Sequence, residues 1–243
     1  MRRPVQALLL VLTGLGLLHA ALFSDLYLRY VKQGLRPALV ASGVLLLLLG
    51  LAGAVLERGH GEEHGGHAHG HDHSAVPRVA WLLFLPALSL LFHAPPALGA
   101  YTAARAATKA VKAEKRFDPL PAASPLPMTL TGFTARVQQD RTRAIRGRTV
   151  TMTGFVTPSG QDGGWYLTRI IFTCCAADSQ SVKVRVYGTD SPPANSWVAV
   201  TGTWHPQGAL GTRAAAAALD ARHTESVAQP VNAYTDDLPL TPN

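Results

Sequence analysis

The sequence predicts a membrane α-helical N-terminal part with about three transmembrane helices, joined to a small mainly-β, OB-like barrel at the C-terminal end. Three observations carry this. Long uncharged apolar runs crowd into the region before Ala100. Five short, β-branched, alternating stretches follow Gly147. Four prolines within Phe117–Pro127 mark the boundary between the two patterns.

The apolar runs are Val5–Leu22 (18 residues), Pro37–Leu56 (20, none charged) and Val79–Gly99 (21). About 20 apolar residues cross roughly 30 Å of hydrocarbon. Pro86, Pro95 and Pro96 should kink the third run and end it raggedly. Arg2 and Arg3 ahead of the first run also suit a signal peptide, but the run is long and lacks a good small-residue cleavage site, which favours a retained helix. The expectation is a multi-pass protein of the cell (plasma) membrane.

With three spans, the first inter-helix loop and the C-terminal domain share one side. That side carries Arg29, Lys32, Arg36, Arg105, Lys109, Lys112, Lys115 and Arg116; the other carries Arg2, Arg3, Arg58 and Arg78. The count favours a cytoplasmic domain, whereas the Arg-Arg start of the first helix argues the reverse. Much of the net charge of +7 thus flanks apolar segments, where it sets topology and meets the lipid bilayer. No zinc-finger spacing, Walker loop or basic helix interleaved with aromatics is present, and nucleic acid is not an expected partner.

Three regions follow: 1–100, the membrane part with a histidine-rich loop at 57–76; 101–127, a basic helix (Tyr101–Arg116) and a proline-rich linker; and 128–243, the β-rich domain. The loop holds His60, His64, His67, His69, His71 and His73, with Glu62, Glu63 and Asp72 among glycines. Neutral imidazoles bind zinc, copper or nickel, and a flexible H-x-H-x-H-x-H run recruits ligands without a preformed site. Such binding is lost as the imidazoles protonate. The plainer account is a solvated low-complexity linker.

In the third region, Leu130, Phe133, Val137 and Ile145 are spaced for one helix face over Thr129–Ile145. Strands are then expected at Arg148–Thr157, Trp165–Thr173, Val182–Tyr187 and Trp197–Trp204, with a last one near Ala217–Gln229. The only cysteines, Cys174 and Cys175, are adjacent, so an unstrained disulfide between them is excluded by their spacing. They end an apolar strand in FTCCAADS, with Asp178 three residues beyond. Two thiolates and a carboxylate, with His205 after the fourth strand, could make a zinc or copper(I) site, or one thiolate could be redox active. Alternatively one cysteine is core and the other incidental.

At these residues the sequence resembles the YcgQ-like permease-subunit family. FTCCAADS with Arg169 upstream, the G-R-T-V-T-M-T-G-F-V strand opened by Gly147, the W-V-A-V-T-G strand and the closing A-Q-P-V-N-A-Y carry the likeness. Ser179 stands where family members commonly have Ala. The resemblance implies a membrane protein working beside a multi-spanning permease subunit, with a link to metal and particularly zinc homeostasis. It marks Cys174, Cys175 and Asp178 as functional positions. The expected function is that of a non-enzymatic accessory subunit, with zinc the expected metal. The rivals are a membrane-tethered thiol oxidoreductase and a structural adaptor that binds no ligand.

Overall fold

A computed structural model of the chain describes residues 3–59, 98–106, 111–114, 116–159 and 164–240. They divide into two compact units, one made of Met1–Tyr27 and Gln33–Ala97, the other of Leu28–Lys32 and Leu98–Asn243.

The first unit holds two apolar helices, α1 (Arg3–Leu22) and α2 (Arg36–Gly59). Small residues let their backbones approach closely. A Cβ on Gly14 would lie 2.8 Å from the Gly43 carbonyl oxygen, and one on Gly43 would lie 2.8 Å from Leu18 Cγ. The Thr13 and Ser42 hydroxyls donate to their own helices, at Leu9 O and Ala38 O, so neither polar group is left unsatisfied on an apolar face. The Arg36 Nε donates to Ala21 O at 2.9 Å, satisfying a carbonyl at the end of α1. Leu8, Leu12, Leu15, Leu45 and Leu48 are exposed.

Of the three expected spans, one is long and apolar enough to cross a membrane among the described residues: Gln33–Val55, with mean hydropathy 2.5. The apolar stretch of α1, Gln6–Leu22, is shorter. The third, Val79–Gly99, lies outside the described residues except for its last two.

The second unit is mainly β. Its elements are α3 (Ala100–Arg105), β1 (Leu126–Pro127), α4 (Leu130–Gln139), β2 (Thr149–Pro158), β3 (Trp165–Ile171), β4 (Gln180–Tyr187), β5 (Trp197–Trp204) and β6 (Ala218–Ser226). The six-stranded sheet runs β1-β2-β3-β4-β6-β5, and β5 pairs again with β2, so the last five strands close into a barrel. Pairings are antiparallel except β1–β2 and β4–β6. The closing contact between β4 and β6 is short, Arg185–Tyr187 against Ala218–Asp220.

The alternation seen in the sequence becomes an inside and an outside. Val150, Met152 and Val156 of β2, Leu167 of β3, Val182, Val184 and Val186 of β4, and Val198 and Val200 of β5 fill the interior around Trp165. Leu130, Phe133 and Val137 of α4 pack on the same core. The Thr129 hydroxyl caps α4 by accepting from Gly132 N at 3.0 Å. A second apolar cluster joins Phe155, Ile170 and Phe172 to Ala100 and Ala103 of α3 and to Ala233 and Tyr234.

Three expectations change. The helix expected over Thr129–Ile145 stops at Gln139, because the buried Asp140 carboxylate accepts from the Thr142 backbone and hydroxyl and turns the chain. Of the basic helix expected over Tyr101–Arg116, the described residues form a helix at Ala100–Arg105, and residues 111–114 are irregular. The proline-rich stretch is no free linker. Leu126–Pro127 is a strand on β2, Leu120 packs on the core, and the Arg148 guanidinium donates to Pro121 O and Ala123 O.

Gly202 sits where β5 shifts register against β6. A Cβ there would overlap the Asp220 carbonyl oxygen, and backbone cannot step aside cheaply. Gly202→Val should therefore cost about 1–3 kcal/mol or more, as overpacking does. Thermal unfolding of the full chain in detergent reads this; an unchanged midpoint would show that the barrel yields at this contact.

Candidate functional site

Eight residues, Phe172–Ser179, join β3 to β4. They turn tightly because Asp178, in a 3-10 turn spanning Ala176–Asp178, reaches back to the backbone ahead of it. Its carboxylate accepts from Thr173 N at 2.9 Å and Cys174 N at 2.7 Å, and more weakly from Cys175 N at 3.4 Å. Successive side chains on a straight strand point to opposite faces. Here the turn gathers them: the two sulfurs lie 3.7 Å apart, with Cys174 exposed and Cys175 half-buried. Both cysteines are free thiols.

Two further segments hold the loop. On one side Phe172 stacks on Tyr234, ring centroids 4.7 Å apart and planes 7° from parallel, while Phe172 N donates to Tyr234 O at 3.1 Å. The buried Arg169 anchors that tail by donating to Asn232 O and Thr235 O. Burial pulls the Arg169 pKa down to about 10, against the opposing pull of Asp236 and Asp237. On another side lies a short strap, Tyr30–Lys32. Ala176 N donates to Tyr30 O at 2.8 Å and Lys32 N to Cys174 O at 3.0 Å, with Val31 and Cys175 opposed as an antiparallel bridge.

The electrostatics follow from the same contacts. The Asp178 carboxylate beside the Cys174 thiol, with lesser help from Cys175, pushes its pKa up to about 11. The Asp178 pKa is lowered, first by the Cys174 thiol and then, against some desolvation, by the backbone N–H groups. Its oxygens are engaged in shaping the loop.

Two thiolates on a tetrahedral zinc, each about 2.3 Å from the ion, stand about 3.8 Å apart. The Cys174–Cys175 separation of 3.7 Å fits that edge. Asp178 stands beside the sulfurs but its oxygens are already occupied, and among the described residues no group of three or more His, Cys, Asp or Glu side chains could hold a metal ion. By spacing alone the pair could supply two ligands of an open site, not a closed one.

His205 does not join them. It follows β5 and lies against Tyr187, ring centroids 4.4 Å apart and planes 32° from parallel, and Tyr187 ends β4 at the opposite end from Gln180, where the cysteine loop enters. Its Nδ1 lies 2.7 Å from Asp220 Oδ1 instead. His60, His64, His67, His69, His71 and His73 lie outside the described residues. Sequence reading did not anticipate Tyr30–Lys32 or Tyr234. Arg169 carried a visible signal, a lone cation in the apolar run WYLTRII.

The unit is thus a closed β-barrel bearing a vicinal-thiol loop at one strand connection. Residues 134–235, less than half of the chain, match the family model described as DUF1980 C-terminal domain. That stretch runs from within α4 through the thiol loop and Tyr234. No curated protein and no solved structure matches the chain.

Asp178→Asn removes the charge that keeps Cys174 protonated. The Cys174 pKa should then fall from about 11 toward the ordinary thiol value, raising the thiolate fraction at every pH below that. Alkylation of Cys174 at pH 8 should speed up on the order of tenfold or more. An unchanged rate across the pH profile would show that Asp178 does not hold the thiol proton.

Proposed function

We propose that this chain is a membrane-anchored accessory subunit of a multi-spanning permease, and that its Cys174–Cys175 loop binds a thiophilic metal ion, zinc above all, in transit. The observation that carries the reading is the sulfur separation of 3.7 Å on an exposed loop whose shape is fixed by Asp178. The metal is cargo in this reading: two thiols leave coordination positions open, so the ion can arrive with ligands from one donor and leave with those of another. Metal binding must displace the proton held on Cys174, which keeps affinity modest near neutral pH and makes it rise with pH.

Other features support the rest of the proposal. The exposed leucines of α1 and α2 and the hydropathy of Gln33–Val55 suit helices set in lipid, as part of a multi-pass chain in the cell membrane. The pairing of β2 with β5 and the parallel pairing of β4 with β6 suit a barrel of the OB type. The resemblance to permease-subunit proteins supports the partner. The six-histidine loop would gather metal at neutral pH and release it in acid. The rival thiol oxidoreductase would be supported by a C-x-x-C motif, and the sequence carries adjacent cysteines instead.

Replacing both cysteines by Ala in the full chain, expressed with its partner permease, should cut metal uptake on the order of tenfold. The unfolding midpoint of the purified chain should stay within a few degrees, since Cys174 is exposed and little packing is lost. Normal uptake would favour the adaptor that binds nothing. Lost uptake with a large drop in midpoint would mean that the thiols are packing groups.

A further inference from the structure

The turn between α4 and β2 leaves arginines over. Within Asp140–Arg148 the chain reads DRTRAIRGR. Asp140 is buried and engaged by Arg136 and Thr142, and Arg148 is tied to Pro121 O and Ala123 O. Arg141, Arg143 and Arg146 are exposed, and among the described residues their guanidinium groups have no ion-pair or hydrogen-bond partner. Arg141 also lines an open groove of about 1120 Å³ together with Arg116 and Arg213, both exposed and likewise unpartnered among the described residues. The acids on its walls are Glu114 and the already engaged Asp140. Gln138, Gln139, Thr142 and Thr212 add neutral donors.

We infer that this groove and the arginine turn beside it are a docking surface for the anionic headgroups of the bilayer. Guanidinium forks match phosphate oxygens in pairs. Five of them around one groove and its border form a cationic surface with almost no internal neutralisation. A single-stranded nucleic acid would need exposed aromatic faces on which bases stack. The groove offers one aromatic ring, Phe117, which is half-buried and lies under the Arg136 guanidinium at 5.1 Å. Anionic lipid is the polyanion always within reach of a chain anchored by apolar helices, and clustered arginines near a leaflet are held by its surface potential. The inference rests on the membrane reading of α1 and α2.

The test uses the full chain in nanodiscs made of phosphatidylcholine alone or with about one third phosphatidylglycerol. Trypsin cuts after Arg141, Arg143 and Arg146, and mass spectrometry times each cut. In anionic discs these cuts should slow on the order of tenfold at low salt, and recover in about 0.5 M salt as the charges are screened. Arg116→Gln with Arg213→Gln should lose most of the protection at an unchanged unfolding midpoint. Equal cleavage in the two lipids would overturn the inference, as would protection given by a soluble oligonucleotide and not by the anionic discs. A chain that fails to enter either disc would overturn the membrane reading and this inference with it, which separates the two failures.

Discussion

Consecutive backbone N–H groups at Thr173, Cys174 and Cys175 converge on one carboxylate, that of Asp178. Everything distinctive about the loop depends on that convergence. A strand continuing past Ile171 would send its two thiols to opposite faces. The Asp178 carboxylate instead bends the backbone around itself and draws the sulfurs together. The same carboxylate raises the Cys174 thiol pKa, so the residue that shapes the loop also disfavours its thiolate. Asp178 is thus the loop's organiser, through backbone hydrogen bonds to both of its oxygens.

The barrel makes this arrangement durable. Closure of β2 on β5 fixes the ends of β3 and β4, and therefore the gap that the loop must bridge. The tail after β6 returns to stack Tyr234 on Phe172, and Arg169 pins the tail by its carbonyls. The strap Tyr30–Lys32 closes another side through two backbone hydrogen bonds. These attachments come from segments some 60 and 140 residues away in the sequence, at the separations of Tyr234 and Tyr30 from Phe172 and Cys174. A reagent or ion meets an exposed Cys174 whose surroundings are preset.

Much of this barrel was legible in the sequence, since strands announce themselves by alternation. VKVRVY and WVAVTGTW became β4 and β5 nearly residue for residue. Helix ends were less legible, because side-chain hydrogen bonds decide them. Asp140 ended α4 early while the apolar spacing still reached Ile145. The proline stretch misled for a related reason: prolines forbid interior strands but allow an edge, and β1 is an edge strand on β2. In the site, the cysteines and Asp178 were visible as residues, but their roles were not. Spacing alone made Asp178 a candidate ligand, whereas the turn makes it an acceptor of backbone hydrogen bonds. His205 was drawn toward the cysteines by residue type alone, and barrel topology puts it at the other end of β4.

The central claim is that two adjacent thiols, and not the nearby carboxylate, form the metal-binding end of the domain. Zinc K-edge X-ray absorption on the zinc-loaded full chain, with His60, His64, His67, His69, His71 and His73 all changed to Ala, tests it directly. The account predicts two sulfur scatterers at about 2.3 Å. A first shell of oxygen and nitrogen alone would contradict it.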